Sequence, residues 1–170
     1  TMSNAHEAIA YLESIPPGRA LRPTDPEARA LVDELYDALY GPFGVAVRAW
    51  AYAYMLPGRR AGVRVWSAGA PTWERWVVRV LYPLLAFLMR RVLRIGPKTI
   101  DDERAAIEVV FERVAGLLAD GRRYLAGDTI SLAALTLASL AAPAIVPAGY
   151  GGPLPSLEEM PPVMRAQVER

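Results

Sequence analysis

From Leu132 to Ala142 the chain reads LAALTLASLAA, and only Thr136 and Ser139 interrupt the apolar residues. A helix with so little polar surface has almost no face to offer water, so it belongs inside a bundle with other helices around it. Its start is marked as well. Gly127 and Asp128 punctuate a turn, and Ser131 stands where a cap hydroxyl would accept a hydrogen bond from a free N–H of the first turn. The sequence thus predicts an all-α fold, a helical bundle around a buried, N-capped central helix, with Asp128 and Ser131 as its structural cap.

The rest of the chain supplies the surrounding helices. Asp25-Pro26 is a helix entrance, with aspartate as cap and proline at the first helical position. From there Leu31, Leu35, Ala38 and Leu39 form an inner stripe, while Glu27, Asp33, Glu34 and Asp37 lie outside. The helix is predicted to run on to about Leu56, kinked at Gly41-Pro42 and stopped by Pro57-Gly58. Residues 57–71, with three glycines, read as a loop. Thr72 to Ile95 reads as a long amphipathic helix with Trp73, Trp76, Val77, Val80, Leu84, Phe87 and Leu88 inward. Thr99 opens another, with the stripe Ile107, Val110, Phe111, Val114, Leu117 and Leu118, closed by Asp120-Gly121. A last helix is predicted to begin near Met160, behind a Ser156-x-x-Glu159 cap.

Composition removes several functions. The 170 residues hold no cysteine and one histidine, His6, so disulfides, thiolate nucleophiles and Cys/His zinc clusters within this chain are excluded and no metal is expected. A net charge of +1 argues against a nucleic-acid partner. No continuous apolar run approaches the roughly 18–20 residues of a membrane span, so no integral membrane segment is expected. Residues 1–13 carry no signal-peptide pattern, and a cytoplasmic location is the default expectation. Charge is nevertheless uneven. Between Arg59 and Arg94 eight arginines face the single acid Glu74, a local balance of +7. A basic amphipathic helix over 72–95 is compatible with a membrane surface, but a solvated or dimer-facing flank that pairs with the acidic first helix is the more usual outcome and the one expected here.

The glycine-aspartate turn and the cap also carry a resemblance. DGRRYLAGDTISLAAL, residues 120–135, resembles the turn and capped buried helix of the C-terminal, all-helical domain of glutathione S-transferases. The family pattern Gly-Asp-x-x-Ser/Thr-x-Ala-Asp is met by Gly127 to Ala133 and departs at Ala134, where the aspartate that completes the reciprocal capping box is absent. Ala10-Tyr11-Leu12-Glu13, followed by Leu21-Arg22-Pro23-Thr24-Asp25-Pro26, is similar to the junction that closes the family's thioredoxin-like domain. The resemblance implies two parts: residues 1–18 as the last helix of a thioredoxin-like domain plus linker, and residues 19–170 as the C-terminal-like helical domain with a truncated final helix.

By that resemblance the chain supplies the hydrophobic pocket for a small electrophile, and homodimer contacts, to glutathione conjugation by the full-length protein. Glutathione would be a co-substrate. The pocket wall falls on Tyr36, Tyr40 and Arg48, where rings provide apolar area and a hydroxyl or guanidinium can hydrogen-bond an anionic group. Ser3 is a weaker candidate for a glutathione contact, and Tyr150 one for the pocket mouth. No catalytic residue is assigned, because the hydroxyl that activates the thiol lies in the thioredoxin-like domain in this family; the chain alone is expected to be inactive. The alternative is a non-catalytic helical interaction module.

Overall fold

The computed structural model describes Glu7, Ile9, Tyr11, Ser14, residues 20–96 and 99–147, Glu158, Met160 and 162–168, with only the backbone of Val163 and Gln167. Ser3, Tyr150, the Ser156–Glu159 cap and most of residues 1–18 lie outside them. Among the described residues the architecture is helical and contains no strand. The helices are α1 (Pro26–Ala38), α2 (Gly44–Met55), α3 (Arg59–Trp66), α4 (Thr72–Val92), α5 (Thr99–Leu118), α6 (Leu132–Ile145) and α7 (Pro162–Val168).

Helices α1 and α2 form one rod. Asp25 caps it, its carboxylate accepting the Ala28 N–H at 2.8 Å. At the predicted kink the ladder does not break; it widens into a π turn over Leu39–Phe43, with Pro42 inside. Such a turn absorbs the hydrogen bond proline cannot make. Inward residues then run from Val32, Leu35, Tyr36 and Leu39 through Phe43 to Ala46, Val47, Trp50 and Tyr54, all buried. Small residues let neighbours approach: α5 and α6 both lie against α2, and the edge of Phe111 meets the ring of Phe43 at 5.9 Å between centroids.

Helix α6 starts as predicted. Ser131 is buried, and its hydroxyl accepts the Ala134 N–H at 3.4 Å, a long bond. The Leu132 N–H is taken at 2.8 Å by the carbonyl of Leu21, which ties the segment before α1 to the helix start. Thr136 and Ser139, the two polar residues, donate back to the carbonyls of Leu132 and Leu135. Its place in the bundle differs from the expectation. Leu132, Ala133, Ala141 and Ala142 are buried, but Leu135, Ala138, Ser139 and Ile145 are exposed. The innermost helix is α2, which combines alanines with Trp50 and Tyr54 and so fills space between two neighbours.

Two further expectations are corrected. Residues 57–71 are not a loop throughout, because α3 occupies Arg59–Trp66. Its Gly62 is a packing residue: it sits so close against the ring of Tyr82 on α4 that a Cβ there would collide with the phenol. A rim of rings, Tyr52, Trp66 and Tyr82, joins α2, α3 and α4 at centroid distances of 6.2 and 5.3 Å. The Tyr82 hydroxyl donates to the Leu56 carbonyl at 3.2 Å.

The second correction concerns α4. Its supposed inner stripe faces outward: Trp73 is 67%, Trp76 66% and Phe87 61% exposed, and Val77, Val80, Leu84 and Leu88 are exposed with them. Tyr82 is its one buried side chain among the described residues. In α5, Ile107 is buried and Val110, Phe111, Val114 and Leu117 pack on the core as predicted, whereas Leu118 at the end is exposed.

Candidate functional site

The pocket wall proposed from sequence is only partly assembled. Tyr36 and Tyr40 are one helical turn apart where α1 passes into the π turn, and their rings stack at 5.5 Å with 13° between planes. Tyr36 is 3% exposed and Tyr40 48%, so the pair has an anchored ring and a presented ring. Burial, with the neighbouring Tyr40, pushes the Tyr36 phenol above its ordinary value, although Arg22 pulls the other way. That phenol is neutral at physiological pH. Arg48 is exposed on α2, two turns beyond Tyr40, about 12 Å along the axis by helical rise. The structure thus brings the two tyrosines together and leaves Arg48 apart from them.

Asp128 lies exposed just after the turn that Tyr124 and Gly127 close with reciprocal backbone bonds of 2.9 and 3.2 Å. Gly127 adopts φ +101°, a conformation that only glycine takes without strain. Beside it opens a shallow cleft of about 530 Å³ lined by Asp25, Glu27, Asp120, Arg122 and Asp128. Asp120 is committed to Arg122, whose guanidinium donates to it at 2.6–2.9 Å and holds its carboxyl at about 2. Among the described residues no three His, Cys, Asp or Glu side chains are grouped to hold a metal ion.

No protein-family model, curated protein or solved structure matches this chain. What remains is the geometry. A second cleft, of about 520 Å³, lies between α3 and α4 and is lined by Arg59, Arg60, Val63 and Arg79, with the Arg59 guanidinium donating to the Arg79 carbonyl at 2.7 Å. Neither cleft includes Tyr36, Tyr40 or Arg48.

The arginine cleft was missed from sequence because its two sides are 20 residues apart and one of them was read as a loop. The cue was present in Gly62: a glycine just after Arg59 and Arg60 is a mark of helix contact as well as of a turn. Among the described residues no helix is long and apolar enough to cross a membrane.

Proposed function

We propose that the chain is a helical module of glutathione S-transferase C-terminal type, which lends an aromatic wall to a site for a small hydrophobic electrophile. The observation that carries this reading is the Tyr36–Tyr40 pair. A buried ring that backs an exposed one, at a π turn, is a preorganised apolar surface at a backbone irregularity often found at functional sites. The Gly127–Asp128 turn, the Ser131 cap and the docking of α6 on α1 and α2 lend it support at the level of the fold. Glutathione would be held, and its thiol activated, by another segment; what the described residues contribute is ring surface for the co-substrate. Homodimer contacts are part of the same proposal.

Titration with a chloro-nitro aromatic, followed by calorimetry, tests the wall. Tyr40→Ala is expected to weaken binding about fivefold to tenfold, the worth of one stacked ring. Unchanged affinity would remove Tyr40 from the site. Glutathione added to the chain alone is expected to give no conjugate, and turnover would show that the thiol-activating group lies within these residues. The second reading, a non-catalytic interaction module, is favoured by one observation of its own, the open apolar face of α4.

A further inference from the structure

We infer that α4, together with the arginine cleft it shares with α3, is a docking surface for an anionic lipid bilayer. The helix has 21 residues, about 31 Å of axis. At 100° per residue, its exposed apolar side chains Trp73, Trp76, Val80, Leu84, Phe87 and Leu88 share one arc of about 160° with their apolar neighbours. Arg79 and Arg90 flank one margin of that arc, and Arg91 closes its C-terminal end. An apolar face with tryptophan and phenylalanine, edged by arginine, is the composition of a helix that lies in the membrane interface, with its axis parallel to the surface.

Charge decides between possible occupants. A second copy would bring one arginine-rich surface of +7 against another, with Glu74 the single acid between Arg59 and Arg94. Two of the four acids of α1 are already engaged within the chain, Asp33 with Arg22 and Glu34 with Arg113, each at 2.8 Å. The surface therefore calls for an anionic partner that is also apolar. A bilayer containing acidic phospholipid offers both, since its acyl boundary receives the stripe while phosphates meet Arg59, Arg60 and Arg79 in their 520 Å³ cleft. None of this depends on the Tyr36–Tyr40 reading.

Co-sedimentation of the full chain with phosphatidylcholine vesicles, with and without phosphatidylglycerol, tests it. Binding is expected only to the anionic vesicles, released by salt, with a blue shift of tryptophan emission. The double variant Trp76→Glu/Phe87→Glu should lose at least about tenfold in vesicle affinity while keeping the helical far-ultraviolet spectrum, because both side chains are outside the core. Neutralising Arg79 or Arg90 should cost about fivefold each. A folded wild-type chain that ignores anionic vesicles, or binds neutral ones equally well, overturns the proposal. So does dimerisation that Trp76→Glu abolishes, or retention of a polyglutamate peptide by a chain that ignores vesicles, which would assign the face to an acidic protein.

Discussion

Helices α2 and α4 are both rich in aromatic and branched apolar residues, yet they end up in opposite environments. In α2 small residues recur along the inner side, Gly44, Ala46, Ala49 and Ala53, and neighbouring helices close over Trp50 and Tyr54. In α4 large residues surround the helix on most sides, and among the described residues its main contact is with α3, through Tyr82 and Gly62. Burial requires a partner able to approach, and small residues are what permits it. Amphipathic spacing alone makes a helix with an apolar face; it does not say what covers that face.

The sharpest way to break this comparison is to truncate one tryptophan from each helix. Trp50→Ala should cost about 3–5 kcal/mol in chemical denaturation, through loss of burial and the cavity left behind. Trp76→Ala should stay within about 0.5 kcal/mol of the wild type. Equal losses would mean that the two helices are equally buried. A smaller effect is expected at their link. Gly62→Ala pushes a methyl into the Tyr82 ring and should destabilise by about 1–3 kcal/mol, with near-ultraviolet dichroism reporting the disturbed Tyr52–Trp66–Tyr82 rings. Gly127→Ala, forced to φ +101°, should cost about 1–2 kcal/mol.

The pH response comes last in size. Burial raises the phenols of Tyr36 and Tyr82 above 10, so folding is favoured by their neutral forms. That contribution is present below pH 10 and is lost as pH rises through the folded-state values, because the unfolded chain ionises first. Tyr36→Phe should flatten the alkaline loss of stability. At the acid end Asp120 behaves oppositely: its contribution is present above its ordinary value of 3.8 and fades as pH falls through about 2. Asp120→Asn should remove that slope, which thermal melts across the acid range would reveal.

Much of the fold could be read from residues alone. Asp25-Pro26, Gly41-Pro42 and Ser131 are local signals, and each marks a local event: a cap, a π turn and a second cap. The stripe from Ile107 to Leu117 was equally legible, because α5 packs along its length. What escaped depended on partners. Gly62 carries the same letter as a loop glycine, and only the ring of Tyr82 makes it a contact residue. The α4 stripe has the period of an inner face, and the helices that could cover it are already committed to α2. As for the candidate site, Tyr36 and Tyr40 are neighbours by helical spacing and stack, whereas Arg48 stands two turns further along the same rod.

One measurement addresses the contrast most directly: acrylamide quenching of emission in two single-tryptophan variants, one retaining Trp50 and the other Trp76. Trp50 should be shielded throughout, whereas Trp76 should be freely quenched in the vesicle-free protein and become shielded when anionic vesicles are added. A Trp76 already as shielded as Trp50 before any lipid is present would contradict that contrast, since the face of α4 would then be covered by protein.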